Sequence, residues 1–272
     1  MSRRSAGSSP RNSVSLVVAT WNVNSIRSRL HALLPWLESV NPDVVCLQET
    51  KVQDPDFPRD ALKNAGYHAV FRGQKAYNGV AILSKTPIEA IRFGFDDGGP
   101  ADDARLIVGT TAGVTVINTY VPQGRDVKHP MYAYKLGWFE RLRALFETTF
   151  SPEEPILWVG DLNVAPTKID VWDPKRLLGH VCFNPEVTAA WEAVVAWGLV
   201  DLFRKHVAGG SEYTYFDYRA ANAVAEGKGW RIDHILATRP LADRSTRAWI
   251  DLDPRRGNRP SDHAPLLAAF EV

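Results

Sequence analysis

Residues 155–163 read PILWVGDLN, and their arrangement sets the pattern for the chain. The apolar run Ile156 to Val159 is too short for an ordinary helix, so it predicts a buried strand. It ends in Gly160-Asp161-Leu162-Asn163, a carboxylate and an amide two residues apart. The same arrangement recurs. VSLVVAT (14–20) runs into Trp21-Asn22-Val23-Asn24, and DVVCLQ (43–48) into Glu49-Thr50. Arg231-Ile232-Asp233-His234 opens another strand-like run, and Ser261-Asp262-His263 precedes Ala264–Phe270. Strand ends of a layered α/β protein share a rim, so polar groups from these five distant segments are expected to converge there.

Working outward, Leu30, Leu33, Leu34 and Leu37 mark a helix over Ile26–Val40. Pro35 predicts that it starts late or bends, and Asn41-Pro42 that it stops. A short helix is expected over 58–66, ended by Gly66, and the longest over Met131–Phe150. A further helix spans Val187–Trp197, closed by Gly198. Strand-like runs occupy 67–72, 79–84, 88–93, 105–110, 114–121, 213–216 and 246–251, with a hairpin at Ala112-Gly113. Ten or more strands, three or four helices and no strict βαβ alternation predict two packed, mostly antiparallel sheets with helices outside. No repeat or linker divides 14–272, so this span is expected to be a single domain.

The 272 residues are 45% hydrophobic and 23% charged, ordinary for a soluble globular protein. No stretch approaches the roughly 18 apolar residues of a membrane span, which excludes an integral membrane helix. Cys46 and Cys182 form neither a disulfide framework nor a zinc-ligand spacing, and read as reduced thiols of a cytosol. The formal net charge is +1. Residues 1–13 carry Arg3, Arg4 and Arg11 and no acid, so the body stands near −2. This tail is expected to be disordered, and it lacks the apolar segment of a secretory signal. A purely electrostatic nucleic-acid binder would be more basic. A hydrolase that holds a cation needs carboxylates that cancel its Lys and Arg. Near-neutrality therefore fits a neutral-substrate enzyme or a metal-dependent one acting on nucleic acid.

The residue types at the rim suit phosphodiester hydrolysis. Glu49 is a hard oxygen ligand for Mg²⁺ or Mn²⁺, with Asn22 or Asn24 as a neutral partner. His263 can donate to a phosphate oxygen if a carboxylate, Asp233 or Asp262, stands behind its other nitrogen. Asp161 is left as a base for attacking water, with Asn163 to orient the water or the phosphate.

The ordered set WNVNSIR, LQETK, NTYVPQG, GDLNVAPTKID, WGLVDLFR, YTYFDYR, GWRIDHIL and SDHAP resembles the exonuclease III type of apurinic/apyrimidinic DNA endonuclease. That group lies within the endonuclease/exonuclease/phosphatase superfamily. The resemblance runs from about Val14 to Val272 and implies a four-layered α/β sandwich. It also implies a Mg²⁺-dependent repair enzyme, with Mn²⁺ as an alternative ion, that cuts 5′ to an abasic site and leaves a 3′-hydroxyl. Such enzymes add 3′-to-5′ exonuclease and 3′-phosphodiesterase or phosphatase activity.

Carried over, the resemblance makes Glu49 the main metal ligand with Asn22 beside it. Asp161 and Asn163 become the water-activating pair, Asp233 the buttress of His263, and Tyr120 a contact to the scissile phosphate. Asp161, Asn163, Asp262 and His263 complete the surroundings of the ion. Asn24 stands where some relatives have a metal-holding Asp, so weaker or water-mediated contact is expected. Backbone contacts to DNA are expected from Arg72, Lys75, Tyr77, Asn78, Gln123 and Lys128. Phe216 and Trp230 match positions lining a slot for an extruded abasic sugar. The implied partner is double-stranded DNA, abasic or with damaged 3′ ends, bound by a monomer in the cytoplasm of a bacterial-type cell and nucleoid-associated while acting.

Two other readings remain. One is a nonspecific DNase or a phospholipid or inositol-phosphate hydrolase of the same superfamily. The other is a DNA-binding module without chemistry, which predicts loss of at least one of Glu49, Asp161, Asn163, Asp233 and His263. All five are present.

Overall fold

The computed structural model describes residues 15–220 and 222–271; the basic tail expected at 1–13 lies outside them. The first half of the chain forms β1 (Ser15–Asn22), α1 (Ile26–Val40), β2 (Val44–Gln48), α2 (Arg59–Asn64), β3 (His68–Arg72), β4 (Val80–Ser84), β5 (Glu89–Phe93), β6 (Leu106–Thr111) and β7 (Val114–Tyr120). There follow α3 (Pro130–Thr149), β8 (Ile156–Asp161), α4 (Pro174–Leu177), α5 (Pro185–Val195), β9 (Leu199–Asp201) and α6 (Leu202–His206). The chain closes with β10 (Asp233–Thr238), α7 (Arg239–Ala242), β11 (Ser245–Ile250), α8 (Asp253–Arg256) and β12 (Leu266–Glu271).

The strands make two six-stranded sheets, ordered β11-β12-β1-β2-β4-β3 and β5-β6-β7-β8-β10-β9. Each is antiparallel except for one central parallel pair, β1–β2 or β7–β8. A parallel pair needs a crossover, and α1 and α3 supply the two. Alternation along each strand then builds three apolar layers. Leu16, Val18, Cys46 and Ile82 face Val116, Leu157, Val159 and Ile235 between the sheets. Ala19, Trp21, Val45 and Leu47 pack under Leu33 and Leu37 of α1. Ile117, Trp158 and Leu236 pack under Phe139 and Leu142 of α3 and Trp191 of α5. The result is the expected four-layered α/β sandwich.

Some local expectations change. Pro35 neither delays nor ends α1, which runs unbroken from Ile26 to Val40. Residues 213–216 form no ladder; Tyr215 makes only isolated bridges to Trp230 and His263. The four long or medium helices were expected, but α4, α6, α7 and α8, of four or five residues, are too short to show a periodicity.

What matters for the site is direction. Both parallel pairs end at the same edge of the sandwich, at Asn22 and Gln48 in one sheet and at Tyr120 and Asp161 in the other. Below that edge a fully buried amide pair clamps the sheets. Gln48 Nε2 donates to Asn118 Oδ1 (2.7 Å) and Thr20 Oγ1 (2.9 Å), and Asn118 Nδ2 donates to Ala81 O (2.9 Å). Partnered buried amides of this kind fix the relative position of the layers.

Candidate active site

At the shared edge a cavity of about 250 Å³ opens between the sheets, with Glu49, Tyr120, Asp161, Asn163, Asp262 and His263 in its wall. Asn22 bridges the two sheets at its floor. Its Nδ2 donates to Glu49 Oε1 (2.7 Å) and to Asp161 Oδ2 (2.9 Å), and its Oδ1 accepts from the Asn24 N–H (3.0 Å). Asp161 and Asp233 are register partners on β8 and β10. Asp233 Oδ2 lies 2.8 Å from His263 Nδ1, which leaves Nε2 of the same ring 3.8 Å from Asp161 Oδ2. His263 is held from behind as well: its N–H donates to Ser261 Oγ (3.2 Å), and its C=O accepts from Trp21 Nε1 (3.0 Å).

The backbone at this rim is unusual. Asn24, Glu49, Lys51, Asn78 and Asn163 all have φ between 43° and 53°. Left-handed conformations are rare for residues other than glycine and cluster at functional sites. For Glu49 the turn is held by the Ser25 N–H to Glu49 O (2.7 Å), the Thr50 N–H to Gly79 O (3.2 Å) and the Lys51 N–H to Asn78 O (2.9 Å). These bonds tie α1, β2 and β4 into one corner and aim the Glu49 carboxylate at Asp161.

Electrostatics separate the acids. Burial, reinforced by the Asp233 and Glu49 carboxylates, pushes Asp161 up to about 7 against the opposing pull of His263 and Asn22. Burial also opposes charge on Glu49, but Lys51, Asn22 and His263 outweigh it and hold Glu49 below its ordinary value. Burial alone would strip His263 of its proton; Asp233 and Asp161 reverse this and push it up to about 10. Burial, then Glu49 and Asp161, keep the Tyr120 hydroxyl protonated. Glu49 is therefore an ionised acid, Asp161 an acid poised near neutrality and His263 an imidazolium.

The donor set fits a hard divalent ion. A Glu49 oxygen, an Asp161 oxygen and a His263 ring nitrogen lie within 4.8 Å of one another, a spacing seen for no other trio among the described residues; with His263 protonated, the two carboxylates are the ligands. Two carboxylates are how proteins commonly hold Mg²⁺, which keeps waters and substrate oxygens for its remaining positions. Lys51 Nζ already lies 2.7 Å from Glu49 Oε2 and 2.6 Å from Asn24 Oδ1, so a cation is favoured at this corner.

The model of the Endonuclease/Exonuclease/phosphatase family matches residues 19–263. The chain belongs to this family. Among relatives, it is 37% identical to exodeoxyribonuclease III of Haemophilus influenzae, over 93% of this chain and 98% of that protein. It is 31% identical to a DNA-(apurinic or apyrimidinic site) endonuclease of Dictyostelium discoideum, over 94% of this chain and 70% of that one. Among solved structures, an AP endonuclease from Archaeoglobus fulgidus superposes with a TM-score of 0.93 at 47% identity, covering 94% of this chain and all of that one. A 3′-5′ exonuclease from Neisseria meningitidis superposes at 0.89 with 35% identity, with the same coverage.

Within this family member the residues singled out from sequence divide into groups. Asn22, Glu49, Asp161, Asp233 and His263 meet directly, and Tyr120 and Asn163 line the same cavity. The amide nitrogen of Asn22 faces the carboxylates, so its oxygen is turned from them toward Asn24. The Asn163 side chain bonds Val121 O (3.0 Å), while its N–H holds Asp161 Oδ1 (3.0 Å). Asp262 Oδ1 accepts from Asn24 Nδ2 (3.0 Å). Arg72, Lys75, Tyr77 and Asn78 sit at the end of β3 and in the turn beyond it, with Tyr77 69% exposed, and Asn78 O anchors Lys51. Lys128 is exposed ahead of α3. Gln123 and Trp230 line the cavity.

Phe216 is the exception. It is buried with Tyr213 and Ala223 and does not line the cavity; its neighbour Tyr215 does, together with Trp230 and Ile232. Extended backbone sends adjacent side chains to opposite sides, so a one-residue difference exchanges wall for core. The sequence reading also passed over Lys135. This residue of α3 is fully buried, and its Nζ donates to Asn163 O (2.7 Å), Val181 O (2.8 Å) and Gln123 O (3.3 Å), knotting three loops that supply the cavity wall. Its signal was a cation amid the aromatic face of a helix.

Proposed function

We propose that this protein is a divalent-metal-dependent DNA repair nuclease that hydrolyses the phosphodiester 5′ to an abasic site, with Mg²⁺ or Mn²⁺ as its ion. We further propose trimming of 3′ ends as a 3′-to-5′ exonuclease and 3′-phosphodiesterase or phosphatase. The observation that carries this reading is the Asp233–His263–Asp161 alignment, with Glu49 tied to Asp161 through Asn22. Relatives named as exodeoxyribonuclease III and AP endonuclease span nearly the whole chain and support it.

Glu49 and Asp161 would hold the ion, which when bound supplies positive charge to the scissile phosphate and to the departing 3′ oxygen. Asp161 is also the base that takes the proton from attacking water. Asp233 fixes the His263 ring so that Nε2–H points toward the Asp161 side, where it donates to a non-bridging phosphate oxygen. Tyr120 and Asn163 bound the phosphate position. Tyr215, Trp230 and Ile232 form an apolar slot beside it. A sugar without a base enters such a slot without unstacking a base, so shape selects it.

The substrate is double-stranded DNA, engaged by a monomer that comprises one catalytic domain over 14–272, acting in the cytoplasm at the nucleoid. Among the described residues no helix is long and apolar enough to cross a membrane. The test is one purified sample assayed on an abasic duplex, a recessed 3′ end and a 3′-phosphate, with and without EDTA. A single chelator-sensitive cut 5′ to the abasic position is expected. Cleavage of an inositol phosphate or phospholipid but not of the duplex would overturn the reading.

A further inference from the structure

Trp230 and Ile232 line the slot and Asp233 holds the imidazole, while Arg231 between them is turned into the protein and fully buried. Its guanidinium meets three partners at once. Nε donates to Asp170 Oδ1 (2.7 Å), Nη2 lies 2.8 Å from Asp201 Oδ2, and Nη1 donates to His234 Nδ1 (3.0 Å). An arginine only donates, so His234 Nδ1 is the bare nitrogen of a neutral ring, and its Nε2–H donates to Val164 O (2.8 Å). Asp170 is shared: it also accepts from Arg204 Nε (3.1 Å) and from Thr167 Oγ1 (2.7 Å). Asp201 caps α6 by accepting from the Arg204 N–H (3.2 Å).

This charge lattice lies under the backbone that carries the site. The Arg231 N–H donates to Asp170 O (2.8 Å), the Trp172 N–H donates to Gly229 O (3.1 Å), and Val171 bridges Trp230, so the loop after Asn163 is laid against the start of β10. The Leu162 N–H donates to Ile232 O (2.9 Å) along the same line. Val164 O, held by His234, adjoins Asn163, whose N–H holds Asp161. Burial opposes charge on Asp170 and Asp201, and Arg231 heads the groups that outweigh it and hold both below their ordinary values. Buried ion pairs recover little beyond the desolvation of their charges, so this lattice contributes weakly to stability. What its fixed donors and acceptors specify is where two segments of chain lie.

We propose that Arg231 is a positioning residue: through Asp170, Asp201 and His234 it sets Trp230 and Asp233 against Asn163 and Asp161, and so fixes both the shape of the slot and the alignment of His263. It is buried away from the cavity and acts through these residues. The inference rests on the nuclease reading and adds to it one anchor shared by selection and chemistry. Misplacing reacting groups by about 1 Å can lower a rate about 10²-fold, even from a change remote from the chemistry.

The test is steady-state cleavage of an abasic duplex with Mg²⁺ by the full chain and its Arg231→Lys and Asp201→Asn variants, beside NMR of the histidine ring N–H protons in the same proteins without metal. Arg231→Lys keeps the charge but loses the fork that reaches three partners. Asp201→Asn keeps an acceptor to cap α6 and is the milder change. Thermal melting establishes that each variant is folded at the assay temperature. For Arg231→Lys, kcat should fall about 10²-fold with KM changed less than about twofold. The Nδ1–H resonance that His263 owes to Asp233, and the Nε2–H resonance that His234 owes to Val164, should both move. Asp201→Asn should show the same changes in smaller measure, and it decides the question if Arg231→Lys does not fold. A lower melting temperature with unchanged kcat in the folded variant, or with an unmoved His263 proton, is what packing alone gives and would overturn the proposal. If the wild type cuts no abasic duplex while the His263 proton still moves in the variants, the positioning role stands and the nuclease reading falls.

Discussion

Lowering the pH from 8 to 6 is expected to weaken divalent-metal binding about tenfold, because a proton and the ion compete for one carboxylate. Burial and the Asp233 and Glu49 charges push Asp161 up to about 7. A group with that value is roughly nine-tenths ionised at pH 8 and one-tenth at pH 6, and metal affinity follows the ionised fraction. Glu49 and His263 hold their charges across this window. Glu49 is held below its ordinary value and keeps its charge, and His263, pushed up to about 10, keeps its proton. Titration calorimetry with MgCl₂ in buffers of different ionisation enthalpy reads this directly. Close to one proton should leave per ion at pH 6, and about a tenth of one at pH 8.

The same shift carries a stability sign. A folded pKa raised above the unfolded value of 3.8 contributes stability that is present below that value and lost as pH rises through about 7. Metal-free protein should therefore lose this contribution between pH 4 and 7, and added Mg²⁺ should recover stability at the upper end. Asp161→Asn should abolish both effects. Equal metal affinity at pH 6 and 8 in the wild type would refute the reasoning.

Other substitutions probe the supports of the site. Asp233→Asn removes the charge behind the imidazolium and should lower kcat on an abasic duplex by about 10²-fold or more, with Kd for the duplex little changed. Lys135→Met leaves three loop carbonyls without their donor and should cost about 2–4 kcal/mol in urea unfolding. Gly160 has φ 140°, and a Cβ there would stand 1.9 Å from Thr119 O of the neighbouring strand. Gly160→Ala should thus force β7 and β8 apart beside Asp161 and cost about 3 kcal/mol or more, read as a lower melting temperature. Trp230→Ala opens the slot and should reduce the preference for abasic over intact duplex while sparing trimming of 3′-phosphate ends.

Much of the fold follows from patterns a sequence displays openly. The apolar runs at 16–19, 44–47 and 156–159 lie in strands because nothing polar interrupts them, and α1 follows its leucine spacing to the residue. Asn22, Glu49 and Asp161, the polar residues at the ends of these runs, mark the rim because each strand ends at the same edge of the sandwich. What stayed hidden depends on partners that local pattern does not encode. The Glu49 backbone turns left-handed only because β4 and α1 bond to it. Tyr215, not Phe216, reaches the cavity because of its bridges to Trp230 and His263. Lys135 is legible as a site residue only once three loops are seen to end on it.

The central claim is that Glu49 and Asp161 hold one hard divalent ion opposite His263. The most direct measurement is the anomalous scattering of crystals soaked in MnCl₂ near pH 8. The account predicts a strong peak about 2.0–2.3 Å from a Glu49 carboxylate oxygen, on the side facing Asp161, with His263 across the cavity and Lys51 displaced or sharing the glutamate. No peak at this corner, with Lys51 Nζ still seated on Glu49 and manganese bound at some other group of acids, would contradict it.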